Sequence, residues 1–296
     1  MIEQIEITSL SGRGSVTMRT RDYYGYWLGP VDWGSVEGQH QTYSYYNQIG
    51  ESIVSTAALP RALTITGWVI DAGIGTLQTR CDFLNRFISP VEDYSLEYNG
   101  KKIHFRPDSS IKYSPARREN NKLIRKFLIQ ATCPYPLFTD TADTEVTFDS
   151  SGKMFCFPTD WGQSQPIAFA VIGKAYNKEV NNVGSFQTGI VARIRFTGEV
   201  RNPRLKNLTT DKFIGVNRTF VSGERLEIST VLGGKYITLY TADGKTENII
   251  KNRDYRTTWI QLEPGGNILA IDCDDLDQRG NMEITVSFTP LYLEVQ

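Results

Sequence analysis

Hydrophobic residues recur at every second position along most of this chain. Ile2, Ile5 and Ile7 open the pattern imperfectly, and ALTITGWVI (62–70) places Leu63, Ile65, Gly67 and Val69 on one face. Alternate side chains of a strand point to opposite faces, so each such run reads as a half-buried strand. DYSLEYNGKKIHF holds Asn99-Gly100 between two short alternating runs, a dipeptide suited to the two-residue turn of a β-hairpin. KLIRKFLIQAT follows as a further strand. The second half predicts strands at QPIAFAVIG, GIVARIRFTG, RLEIST, KYITLY, TTWIQL, NILAID and MEITVSF, with a hairpin turn at Asp243-Gly244 and a tight turn at Pro264-Gly265-Gly266.

One segment follows a different period. TLQTRCDFLNRF (76–87) spaces Leu77, Cys81, Leu84 and Phe87 as one face of a helix. Thr76 is a candidate cap for its start, and Pro90 requires the helix to end near Ser89. Its apolar stripe is expected to lie against a sheet. Downstream, FLIQATCPYPLF (127–138) ends a strand in two prolines. Pro134 and Pro136 lack amide donors, so a central strand cannot continue through them. Residues 134–144 then read as the exit from a first domain, 1–138, into a second, 139–296. A mainly β chain follows: a first domain of β-sandwich or split-barrel type with one packed helix and a hairpin, then an antiparallel sandwich. No crossover helices alternate with the strands, which makes a nucleotide-binding α/β sheet improbable.

Composition narrows the chemistry. A length of 296 residues suits two domains. The net charge is -1, so no global field advertises nucleic acid, and the signs are well mixed: residues 1–138 carry 15 Lys+Arg and 13 Asp+Glu, the remainder 17 and 20. Cys81, Cys133, Cys156 and Cys273 are scattered with no CxxC pair, which argues for buried thiols over zinc or redox chemistry. The opening MIEQIEITSL holds acidic residues and no apolar run, so no secretory signal is expected, and no run is long enough for a membrane anchor.

Motif-bearing chemistry is sparse. The two histidines, His40 and His104, cannot build a His-rich metal site. There is no GxSxG, no P-loop and no GxGxxG; DAGIG (71–75) reads as a turn entering the helix. The acidic knot IDCDDLDQRG (271–280) offers Asp272, Asp274, Asp275 and Asp277 as hard oxygen donors, but lacks the spacing of a calcium loop and reads better as a solvated hairpin. The expectation is therefore no catalytic, metal-binding or cofactor-binding residues and no cofactor. KYSPARRENNKLIRK (112–126) carries six basic residues and one acidic, and could meet a nucleic acid or a partner. Aromatic content is the unusual feature. Tyr23, Tyr24, Tyr26, Trp27, Trp33, Tyr43, Tyr45 and Tyr46 crowd one window. Some must fill a core; the rest are expected to be covered by another copy of the chain.

Several stretches together resemble the distal tail proteins of long-tailed, non-contractile bacteriophages. The likeness runs from GESIVSTAALPRALTITGWV, with Arg61 before Ile65 and Gly67, through NRFISP, FRPDSSIKYS and the junction Cys133-Pro134-Tyr135-Pro136 with Phe138. In the second half it rests on Gly198, Asn202, Pro203 and Asn207; on Gly223, Glu224, Leu226, Ile228 and Thr230; and on Trp259, Leu262, Gly265 or Gly266, and Asn267. The aromatic region 20–48 does not align with the family pattern. The resemblance implies a non-enzymatic virion component at the distal end of the tail, synthesised in the host cytoplasm. It implies a homohexameric ring formed by the first domain around a channel, through which genome DNA passes without sequence-specific binding. It implies a tail tube protein on one side, a tail hub or tail-associated protein on the other, and a second, galectin-like β-sandwich supporting receptor-binding proteins. The alternative is a carbohydrate-binding or adhesin-like sandwich using rings such as Tyr240 or Trp259; an unusual glycosidase would need two convergent carboxylates in a cleft.

Overall fold

The alternating runs form strands wherever they can be followed. A computed structural model describes residues 4–22, 25–71, 73, 76–148, 151–152, 171–172 and 176–295. The chain divides into two compact units, Met1–Thr141 with Tyr292–Gln296, and Ala142–Leu291.

In the first unit, seven strands close on themselves. Their order is Lys101–Pro107, Tyr94–Tyr98, Gln4–Ser9, Ser15–Arg19, Tyr26–Asp32, Arg61–Ile70 and Ile124–Cys133, and the last pairs back to the first through Ala131↔Pro107 and Thr132↔Arg106. The expected sandwich or split barrel is thus a closed barrel. Closure removes two exposed sheet edges, which a sandwich would leave open. Strand Arg61–Ile70 alternates strictly, with Leu63, Ile65 and Val69 buried inside. The Asn99-Gly100 turn forms as expected, both residues at positive φ (49° and 70°), joining Tyr94–Tyr98 to Lys101–Pro107.

The helix spans Thr76–Phe87 and buries Leu77, Cys81, Leu84 and Phe87 in the barrel core. Each large apolar side chain so buried contributes about 1.5–3 kcal/mol. Its start differs from expectation. Thr76 lies inside the helix, and its hydroxyl donates to Asp71 Oδ1 (2.5 Å) and to the Gly73 carbonyl (3.0 Å). The acceptor at that end is Asp71, whose carboxyl is held below its usual range by the hydrogen bond from Thr76. At the other end, the buried Tyr94 hydroxyl donates to the Phe87 carbonyl and accepts from the Ser89 amide, ahead of Pro90. Strand Ile124–Cys133 stops at the residue before Pro134, as the prolines require.

The C-terminal segment returns to this unit. Arg61, 1% exposed, donates to the Leu293 carbonyl and lies 4.9 Å over the Phe138 ring. The Lys101 ammonium sits 3.4 Å from the Tyr292 ring centroid and pairs with Asp140, which also accepts from the Tyr292 hydroxyl at 2.9 Å.

In the second unit, two antiparallel sheets share one core. One has the order Thr144–Thr147, Met282–Phe288, Val191–Phe196, Arg225–Ser229, Tyr236–Tyr240, Thr246–Asn248; the other Asn177–Asn182, Gly265–Asp272, Arg204–Asn207, Lys212–Gly215. Inward positions of both, including Ile194, Phe196, Leu226, Leu205 and Leu269, form a single cluster. The Asp243-Gly244 hairpin forms, with Tyr236–Tyr240 paired to Thr246–Asn248. TTWIQL yields only the short strand Gln261–Leu262, because Trp259 turns against the core as a half-buried ring instead of extending the ladder. QPIAFAVIG lies outside the described residues except for Val171–Ile172, which is strand.

Candidate interaction surfaces

The aromatic window splits into two groups. Tyr26, Trp27 and Trp33 lie on the barrel. The Tyr26 hydroxyl reaches the Arg80 carbonyl (3.3 Å), and burial pushes its pKa up to about 12. Trp27 contacts Trp68 at 5.6 Å, and Trp33 contacts Tyr98 at 5.6 Å and Phe138 edge-on at 5.5 Å. These three rings are partly sequestered by their own protomer. Tyr23 and Tyr24 lie outside the described residues.

The second group stands on an arm. Strands Gly38–Tyr43 and Ser52–Ala58 pair only with each other, and nearly every position on them is exposed. Tyr43 and Tyr45 meet edge-on at 5.0 Å near the tip, where Tyr46 is 97% and Ile49 102% exposed, with Ile53 and Val54 behind them. A two-stranded ribbon is marginal alone in water, and so large a run of exposed apolar groups on one element marks a contact surface.

The basic stretch 112–126 folds into a stapled loop beside the barrel. Glu119 accepts from Ser114 Oγ (2.7 Å) and pairs with Lys126 (2.8 Å), while the Lys126 amide returns to the Glu119 carbonyl (2.8 Å). Both hydrogen bonds hold the Glu119 carboxyl below its usual range, that from Lys126 most. Arg117, Arg118 and Lys122 are exposed and have no acidic partner among the described residues. Between this loop and the barrel lies a groove of about 640 Å³ walled by Pro30, Trp68, Tyr113 and Pro115. Pro30 sits in a bulge, the register shift between Leu28 and Val31, which opens the strand at that point.

The remaining candidates resolve into structural roles. In the acidic knot, Asp272 pairs with Lys206 and Arg279 (both 2.5 Å), Asp274 with Arg204 (2.6 Å) and Asn202 (2.6 Å), and Asp275 caps the 3₁₀ turn Leu276–Asn281. Asp272 and Asp274 thus face protein cations, and among the described residues no group of three or more His, Cys, Asp or Glu converges. His40 is bonded to Thr56 on the arm (2.8 Å), while His104 is exposed on the barrel hairpin. Cys81, Cys133 and Cys273 are buried free thiols, and burial pushes Cys133 up to about 12; Cys156 lies outside the described residues. Trp259 is flanked by Lys235 (5.6 Å) and Arg253 (5.2 Å), and Arg225 lies 5.9 Å over Tyr240, so the two rings expected to stack on a sugar each have a protein cation near the ring.

Four of the residues that carry the second-half likeness, Asn207, Glu224, Thr230 and Asn267, are buried polar ties. Asn207 donates to the Gln261 carbonyl (2.9 Å) and to Asn267 Oδ1 (3.2 Å). Asn267 donates to the carbonyls of Glu263 (2.7 Å) and Gly265 (3.0 Å) and accepts from the Glu263 amide (3.0 Å). Thr230 accepts from the Ile190 amide (2.8 Å), and Glu224 from the Val221 amide (3.0 Å). Each satisfies backbone groups that a turn leaves without a ladder partner, a role no apolar residue could fill.

Residues 183–292, within which these ties lie, match the model of the siphovirus-type tail component, C-terminal domain. Over these residues the chain is similar to the C-terminal domain of a siphovirus-type tail component. It is a structural, non-catalytic tail component of the virion. The crystal structure of the Dit protein (gp 19.1) of phage SPP1, described as a paradigm of the hub adsorption apparatus in phages infecting Gram-positive hosts, has the same fold. Its TM-score is 0.65 at 15% identity, covering 98% of this chain and 99% of that one. Two structures of the phage P2 baseplate in its activated conformation, with Ca and with Sr, align at TM-scores of 0.43 and 0.41 and 10% identity, covering 98% and 97% of this chain and 98% of each matched chain. No curated protein sequence matches the chain. The arm's exposed rings carried a clear sequence signal; the groove that Pro30 and Trp68 help to form did not, since its walls come from strands far apart in the chain.

Proposed function

We propose that this tail component assembles as a homohexameric ring at the distal end of the tail. The ring joins the tail tube protein to a tail hub or tail-associated protein and surrounds the channel through which genome DNA leaves, without reading its sequence. The first unit closes the ring. The second, as a galectin-like sandwich, supports receptor-binding proteins or the baseplate wall. The subunits are made in the host cytoplasm before incorporation.

One observation carries this reading: the arm 38–58, whose rings and aliphatic side chains have nothing to cover them among the described residues of a single protomer. Water leaves such a surface only when another molecule takes its place, and identical subunits that each offer one patch to a different patch on the next close by rotation into a ring. The fold likeness to the SPP1 protein, itself described as part of a hub, supports the same assignment. Negative-stain images of the purified chain are the test. Six-fold rings with a central hole are expected, and monodisperse single copies at tens of micromolar would sink the proposal.

A further inference from the structure

The geometry points to the groove beside the basic loop as the seat for the arm tip of the next copy, an inference that rests on the ring reading above. Two surfaces of the first unit have no partner among the described residues, and they differ in kind. The arm tip presents Tyr45, Tyr46 and Ile49, all strongly exposed. The groove presents Trp68 and Tyr113 between two prolines, Pro30 and Pro115, in a space of about 640 Å³. Convex aromatic and aliphatic groups on one side thus meet a concave aromatic and proline-lined wall on the other. Tyr and Trp in a desolvated pocket are the side chains that anchor interfaces most strongly.

Charge selects this pairing over arm against arm. Residues 37–58 contain Glu37 and Glu51 and no Lys or Arg. The segment 112–126 that borders the groove contains six basic residues and one acidic, and that one, Glu119, is already paired to Lys126. Arg117, Arg118 and Lys122, in the same loop as the groove-lining Pro115 and Glu119, are exposed cations with no acidic partner among the described residues. Two acidic arms repel each other, whereas an acidic arm is drawn to a basic rim, which speeds encounter and fixes which face it meets. The loop is held in shape before any partner arrives, because Ser114, Glu119 and Lys126 bond one another. A preformed seat lowers the ordering cost of docking. The basic stretch then serves the neighbouring subunit, and its charge need not be exposed to the channel.

Because donor and acceptor patches differ, complementation tests the contact. An arm variant, Tyr46→Asp with Ile49→Asp, keeps the groove. A groove variant, Pro115→Glu with Arg118→Glu, keeps the arm; all four positions are exposed, so the barrel fold is retained, as circular dichroism and melting can verify. Multi-angle light scattering of the full chain is expected to show rings for the unaltered protein and monomers for each variant alone. An equimolar mixture should give heterodimers and nothing larger, since only one arm and one groove remain intact per pair. Rings of the unaltered protein should also weaken as salt rises from 0.1 M to about 0.5 M, as charge pairing across an exposed rim is screened. Rings formed by the groove variant would overturn the inference and leave the ring reading standing. A mixture that stays monomeric would do the same. An unaltered protein that is monomeric, its arm tip folded into its own groove, would overturn both.

Discussion

Gly67 has no side chain because two others need its place. A Cβ built there would fall 2.5 Å from the Phe127 ring and 2.9 Å from the Trp27 carbonyl. Phe127 is its register partner on the neighbouring strand, so the ring lies across the glycine. Gly67→Ala is therefore expected to lower stability by about 1–3 kcal/mol, the usual cost of overpacking a close-fitted core, read as a shift in the urea midpoint at unchanged slope. In the sequence, Gly67 sat within an alternating run and counted only as an inward position. Its reason is the ring opposite, and that ring is 60 residues away in the chain (127 − 67). Thr76 taught a similar lesson. Its type suits a cap, but Asp71 already supplies the acceptor, leaving the threonine hydroxyl to donate.

At the scale of elements, local pattern read well and partnership did not. Both hairpin turns, the helix and most strands of the second half followed from period and turn chemistry. Barrel closure did not, because it depends on a pairing between strands Lys101–Pro107 and Ile124–Cys133 that no local signal encodes. The acidic knot was ambiguous for a related reason: Arg279 lies within it, but Lys206 and Arg204 reach it from a distant strand. Burial alone would raise the Asp272 carboxyl, but hydrogen bonds and charge from Lys206 and Arg279 outweigh it and hold the group below its ordinary value. A depressed carboxyl contributes stability that is complete above its unfolded pKa, about 3.9, and is lost as pH falls through the folded value. The second unit should thus weaken below about pH 4. Asp272→Asn should reduce stability at neutral pH and flatten that acid limb, measured by urea denaturation at stepped pH.

In chain order, the barrel unit is interrupted by the second unit. The two prolines end a strand as foreseen, but the first unit runs on to Thr141 and regains Tyr292–Gln296 after the second. That return was not legible, since Leu293 offers only a backbone carbonyl to Arg61, and a carbonyl leaves no trace in a sequence. It is testable. Joining Thr141 to Tyr292 through a short Gly-Ser linker should yield a barrel that melts cooperatively. The same chain stopped at Thr141 should be less stable by at least about 2 kcal/mol, because the buried guanidinium loses its acceptor.

The Arg61 clasp also bears on how genes of this kind can trade parts. A recombination that exchanges the stretch encoding residues 142–291 as an internal cassette leaves the clasp whole, so a new second unit arrives on a sound barrel. One that exchanges everything downstream of Thr141 imports a foreign final segment, and the buried arginine regains a carbonyl only if that segment seats in the same register.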